Sequence, residues 1–309
     1  IVIIMLALAV SGLVVGVAND AVNFLNSALG SKAAPRYVIM TVASVGIIVG
    51  AITSNGMMEV ARSGVFHPEM FTFAEVMLLF LAVMFTNVIL LDIFNTLGMP
   101  TSTTVSLVFG LLGAAVGISI FKIANDALVT LPDGSLATMA DMINTGNAMA
   151  IIGGILISVV IAFVCGTVVM YITRLIFSFR YQSKLKSYGA VWCGIALTAI
   201  SYFAVFKGLK GTQVIPADWM SWMEGHIPMM LGGLLVGWSL IMSILSMLKV
   251  NILRITVLAG TFSLALAFAG NDLVNFIGVF VAGVDAYDIV RTTGDTNMLM
   301  GGLNDPVVA

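Results

Sequence analysis

Eight stretches of this chain run far without a charge: residues 1–19, 37–58, 76–91, 93–121, 142–173, 187–206, 225–248 and 255–271. A helix needs roughly 20 apolar residues, with a range of about 17–25, to cross the hydrocarbon core of a bilayer. Most of these runs meet that length, and 76–91 does so if its flanks snorkel. Strands of a membrane barrel would be about 10 residues long and would alternate in polarity, which these runs do not. The pattern predicts an all-α, polytopic membrane protein with spans at 1–29, 37–60, 73–95, 101–121, 146–177, 189–208, 227–248 and 252–283. Composition agrees: 60% of the 309 residues are apolar and 9% charged, with a mean hydropathy of +1.11. A soluble domain carries about 25% charged residues, and no stretch here could form one.

Basic residues are unevenly spread once the loops alternate sides. One side collects Lys32, Arg36, Arg174, Arg180, Lys184, Lys186, Lys249 and Arg254; the other receives Arg62, Lys122, Lys207 and Lys210. Lys and Arg near span ends mark the cytoplasmic side. The loops at 30–36, 178–188 and 249–253 are therefore expected inside, and those at 61–72, 122–145 and 209–226 outside. The last carries Pro216, Trp219 and Trp222 and is expected along the membrane interface. The setting is a multi-pass protein in the lipid bilayer of the plasma (inner) membrane. A net charge of −2 gives no reason to expect a nucleic-acid partner. Cys165 and Cys193 read as small buried hydrophobes, His67 and His226 as interfacial, and the 20 Met residues as packing. No cofactor is expected. The chain starts inside an apolar run with no basic start of a signal peptide, so the native N-terminus is expected to lie further upstream.

A short word occurs twice. Residues 18–24 read Ala-Asn-Asp-Ala-Val-Asn-Phe and residues 270–276 read Gly-Asn-Asp-Leu-Val-Asn-Phe, identical at five of seven positions at an offset of 252. The copies fall in predicted spans one and eight, an odd number of steps apart, and so are expected to cross in opposite directions. Duplicated segments of opposite orientation mark inverted-repeat transporters, whose sites lie near the midplane and use broken or re-entrant helices.

A carboxylate at membrane depth is costly and must face the interior with a partner. No Lys or Arg lies in the segments of Asp20 and Asp272. Their natural partner is a bound cation with hard oxygen ligands, so Asp20 and Asp272 are the candidate metal ligands, with Asn19, Asn23, Asn271 and Asn275 completing the cation site. Residues four apart share a helical face, and unwinding near Asp20 would free backbone carbonyls. The plainer alternative is an Asp–Asn hydrogen-bond clasp between helices. A second cluster is Gly98-Met99-Pro100-Thr101-Ser102-Thr103-Thr104. Pro suits the first helical position and Ser or Thr the cap, and a helix starting inside the bilayer turns free N–H groups and its positive end toward an anion. One hydroxyl would suffice as a cap, and four are present; gluing helices together is the alternative use. Asp92 and Asn95, just before Gly98, and Glu59 read first as interhelical hydrogen bonders and second as a gate.

Together these words resemble the inorganic phosphate transporter (PiT) family. The resemblance rests on Ala18-Asn19-Asp20-Ala21-Val22-Asn23, on Gly30-Ser31-Lys32-Ala33, on the Gly98-to-Thr104 word and on Asn271-Asp272-Leu273-Val274-Asn275. It implies cation-coupled uptake of inorganic phosphate, with sodium ahead of protons, between two inverted repeats. Ser102, Thr103, Thr104, Asn23 and Asn275 would then hold phosphate. The chain departs from the family at Val17 and Ala269, where a Gly is usual, and at Val105, where a His is usual. A second Pro-Ser-Thr word is expected about 40 residues beyond Ala309 by the repeat offset, so the chain reads as a fragment. Its expected parts are a first repeat at 1–121, connecting helices at 122–251 and the start of a truncated second repeat at 252–309, whose tail from 285 looks too polar to span.

The implied protein is a secondary transporter working by alternating access, not an enzyme, and a homodimer is compatible with it. Rival readings are a symporter of another oxyanion such as sulfate, and a membrane scaffold subunit that transports nothing. An intramembrane hydrolase lacks a Ser–His pair or His-rich metal word at membrane depth.

Overall fold

The computed structural model describes residues 1–53, 64–99, 101–131, 134–178, 181–208 and 216–304, without the side chains at 207, 208, 217, 271, 274 and 304. The described residues form helices α1 (Val2–Gly30), α2 (Arg36–Ile52), α3 (Phe73–Thr96), α4 (Thr103–Ala124), the single turn α5 (Met139–Met142) and α6 (Thr145–Ile176). They continue with α7 (Tyr181–Phe203), α8 (Ala217–Gly225), α9 (Ile227–Met247), α10 (Ile252–Asn271) and α11 (Leu273–Thr293). Beyond isolated bridges such as Thr72 with Leu299, no strand occurs among them. Among the described residues, seven stretches are long and apolar enough to cross a membrane, α10 and α11 counted together as one of 42 residues; α2 is shorter, at 17. The protein is an all-α, multi-pass membrane protein, as its hydropathy requires. Glu59 and the far end of the second predicted span lie outside the described residues.

Three elements differ from the sequence expectation. The last predicted span, 252–283, is two helices that meet at Asp272, and α11 runs on to Thr293 through the polar stretch expected to be non-spanning. Asp285, Asp288 and Arg291 are spaced by three along α11, with Ala286, Tyr287, Ile289 and Val290 between them, so the charges share one side of the helix. Second, α1 is unbroken through Asp20, where unwinding was expected. Third, α7 begins at Tyr181, placing Lys184 and Lys186 on its first turns instead of in a loop.

The chain divides into two compact units. The first comprises Ile1–Asp20, Gly56–Ser158 and Asn271–Ala309. Its core is built on α3, α4 and α11, with Phe66, Phe71, Phe80, Leu111, Val279 and Ala286 fully or nearly buried. Lys122, read from sequence as a loop charge, is buried in the last turn of α4. Its Nζ pairs with Glu75 Oε2 at 2.8 Å and donates to the Met70 carbonyl at 3.1 Å. Glu75 is itself the reach-back residue of the capping box that starts α3, so one carboxylate serves the cap and the lysine.

The second unit comprises Ala21–Asn55 and Val159–Gly270. Here α7 and α9 pack around Cys193, Leu197 and Met242, with Gly194 against the Ser239 backbone. Helix α2 approaches α10 through Gly46 and Gly50: a Cβ on either would clash with the Phe262 or Leu266 carbonyl and with Ala265 or Ala269. Small residues spaced by four let membrane helices pack at backbone distance.

Candidate functional site

The site lies in the first unit, where α3 ends, α4 begins and the Asp272 junction starts α11. Helix α3 is closed by two backbone bonds, from Met99 N–H to the Phe94 carbonyl at 2.9 Å and from Gly98 N–H to the Asn95 carbonyl at 3.0 Å. This Schellman closure needs a left-handed residue, and Gly98, at φ +67°, supplies it without the cost a Cβ would add. The chain then turns back into α4, which opens at Thr103 with Ser102 as its cap: Ser102 Oγ accepts from Val105 N–H at 3.3 Å. One of the four hydroxyls is thus a cap, which leaves the threonines of the word for different work. Pro100 lies outside the described residues.

Asp20 and Asn19 are buried on α1, and Asp272 is half-buried at the α10–α11 break. Thr103, 2% exposed, lies close to both carboxylates. Thr104 Oγ1 donates to Asp272 Oδ1 at 3.2 Å and accepts from Asn275 Nδ2 at 3.0 Å. On the other flank, Thr101 N–H donates to Asn19 Oδ1 at 3.2 Å, Asn19 Nδ2 to Asn95 Oδ1 at 2.8 Å, and Asn95 Nδ2 to the Val15 carbonyl at 3.0 Å. Asn95 is therefore the interhelical hydrogen bonder the sequence suggested first.

The structure thus brings together Asn19, Asp20, Thr103, Thr104, Asp272 and Asn275. Asn23 is exposed, on the turn of α1 that opens the second unit. The Asn271 side chain lies outside the described residues. Ser102 is exposed and committed to its cap. Sequence reasoning passed over Asn87 and Ser106, joined by Ser106 Oγ donating to Asn87 Oδ1 at 2.6 Å; an Asn in the middle of an apolar helix was the available signal.

Two packing contacts position the motif copies. Within the first unit, Phe276 lies against Gly12 and Gly16, and a Cβ on Gly16 would collide with its ring. Within the second, Phe24 lies against Phe268 with ring centroids 5.3 Å apart. Counted from its aspartate, the residue four after each copy packs on the residue four before the other. The passages of the chain between units at 20/21 and 270/271 fall inside the two words.

Only oxygen and amide groups converge here, a donor set for a hard cation or an oxyanion. No group of three or more His, Cys, Asp or Glu side chains comes together among the described residues.

Comparison with known proteins points the same way. The profile of the phosphate transporter family matches residues 16–303. The chain belongs to that family. A protein of Thermococcus kodakarensis described as a putative phosphate permease is 25% identical over 200 residues, covering 64% of this chain and 45% of that relative. The chain thus matches less than half the length of this relative. The solved structure of a sodium-dependent phosphate transporter shares the fold, with a TM-score of 0.63 at 16% identity over 97% of this chain and 72% of that one. In this member of the phosphate transporter family, the six clustered side chains are those of the two repeated words and of the hydroxyl word between them.

Proposed function

We propose that this chain forms most of a secondary transporter that moves inorganic phosphate together with a cation, sodium ahead of protons, by alternating access across the plasma membrane. One observation carries the reading: Asp20 and Asp272, one from each copy of the word, converge on Thr103 in the first turn of α4. A phosphate would meet the N–H groups of that turn and the Thr103 and Thr104 hydroxyls. Helix ends contribute only about half a positive charge each. Two carboxylates and a phosphate of about −1.5 to −2 then leave the site strongly negative. No Lys or Arg lies within ten residues of Asp20, Thr103 or Asp272 in the sequence, and Lys122 in the last turn of α4 is held by Glu75. A cation must accompany the anion, and that is symport.

The reciprocal packing of the two words supports their descent from one inverted segment. The family match and the printed name of the structural neighbour favour phosphate and sodium.

The test is uptake of labelled phosphate by proteoliposomes holding the intact protein. Uptake driven by an inward sodium gradient and lost when sodium and proton gradients are collapsed is the expected result; uptake indifferent to both refutes symport. Excess unlabelled sulfate should leave uptake unchanged and arsenate should compete, the reverse pointing to another oxyanion. Asp272→Asn is expected to express and fold while losing cation-dependent uptake by at least about 100-fold, the scale of a lost site ligand.

A further inference from the structure

The contact between Ser106 and Asn87 leads to a small cavity beside the site. Asn87 lies mid-way along α3 and is 5% exposed. The cavity, of about 10 Å³, is lined by Asn87 and Asn275 and by apolar groups that include Gly12, Val83, Leu107 and Phe276. Its volume is about that of one water centre. Asn275 is 2% exposed; its Nδ2 is committed to Thr104, while its Oδ1 is buried with no hydrogen-bond partner. Ser106 occupies the Asn87 oxygen, which leaves the Asn87 N–H₂ as a donor on the other wall. A buried acceptor and an uncommitted amide donor lining a one-water space are what a single water satisfies, accepting from one amide and donating to the other. A cation is disfavoured, because the lining offers one uncommitted carbonyl oxygen, no carboxylate and an amide N–H₂ that repels positive charge.

We propose that one water molecule sits in this cavity and bridges Asn87 to Asn275 Oδ1, making Asn87 a positioning residue for the transport site. The proposal rests on the function read above. The water holds the Asn275 amide in the orientation that donates to Thr104, and Thr104 in turn donates to Asp272. Without it the Asn275 oxygen is stranded, and rotation of the amide to find a partner withdraws its N–H from Thr104.

The experiment joins a density map of the intact protein, at a resolution that shows ordered solvent, to transport kinetics. A solvent peak within hydrogen-bond distance of both amides is expected in the wild type, and its absence overturns the proposal. Asn87→Leu, close in shape but without polar atoms, should lose the peak and raise the phosphate KM about tenfold at saturating sodium, the effect of leaving one buried amide unpaired. Asn87→Ser, which can anchor water again, should recover most of that loss. An unchanged KM in Asn87→Leu overturns the positioning role. So does a fall in melting temperature common to both variants with no KM recovery in Asn87→Ser, which would make Asn87 merely structural. If the wild type carried no phosphate, the proposed function would fail on its own, while the solvent peak and its loss in Asn87→Leu would still decide the water.

Discussion

The two aspartates and the buried lysine show how the bilayer treats single charges. Asp272 is met by the Thr104 hydroxyl and Asp20 lies close to Thr103; Lys122 is met by a carboxylate, which closes it off. Removing one member of a buried pair leaves the other charge stranded, whereas replacing both by apolar groups is often tolerated. Glu75→Ala is therefore expected to destabilise the protein by about 3 kcal/mol, toward the lower end for such pairs, because Glu75 is 23% exposed. Part of the loss comes from the α3 cap that the same carboxylate makes. Thermal melting of the detergent-solubilised protein measures it. Glu75→Leu combined with Lys122→Met should melt closer to the wild type than Glu75→Ala alone, and a double variant as unstable as the single one would count against a stranded lysine.

At the scale of elements, close approach depends on missing side chains. Gly50 faces the Leu266 carbonyl and Ala269 across the α2–α10 contact, and Gly46 faces the Phe262 carbonyl and Ala265 one turn away. Both obstacles are backbone or Cβ atoms, which cannot swing aside as a long side chain can. Gly50→Ile must push the helices apart, and a loss of about 1–3 kcal/mol, typical of overpacking, is expected in the same melting assay. Gly260→Ala on α10, which meets nothing closer than 3.9 Å, serves as the control and should be neutral. The Gly46-to-Gly50 spacing stands in the sequence, but such a strip does not name the helix it will meet. Likewise the break at Asp272 and the continuity at Asp20 occur in nearly the same word. Two copies so alike could not announce opposite outcomes, yet Leu273 begins a new helix where Ala21 continues the old one.

At the scale of the whole molecule, the exposed apolar faces of α6 and α9 suit lipid, with most large residues from Leu156 to Leu175 open. The short α8 carries Trp219 and Trp222 exposed, and Trp222 stacks on His226 at 4.8 Å, as expected of a helix at the water–lipid boundary. The charge pattern sets a sidedness that can be measured. In a background without Cys165 and Cys193, cysteines placed at Ser31 and Asn251 should react with an impermeant thiol reagent only from the cytoplasm, and one at Ser221 only from outside. The opposite pattern would invert the topology, and all three reacting from one side would break the alternation of loops.

The sequence alone determined the solvent, the helical class, the approximate helix positions and most of the polar side chains that the fold clusters. It did so because each obeys a local rule: runs long enough to cross a bilayer, charges too costly to leave unpartnered there, and a polar word duplicated where chance seldom places one. Which polar side chains meet is a matter of packing between segments far apart in the chain, and no local rule reaches it. Thr103 rather than Ser102 stands between the aspartates because the α4 cap consumes Ser102. Asn275 is buried and Asn23 is not, although they occupy equivalent places in the two words, because Phe276 finds Gly16 while Phe24 finds Phe268. Asn87 entered only with the fold, since its partners Ser106 and the cavity beside Asn275 come from α4 and α11.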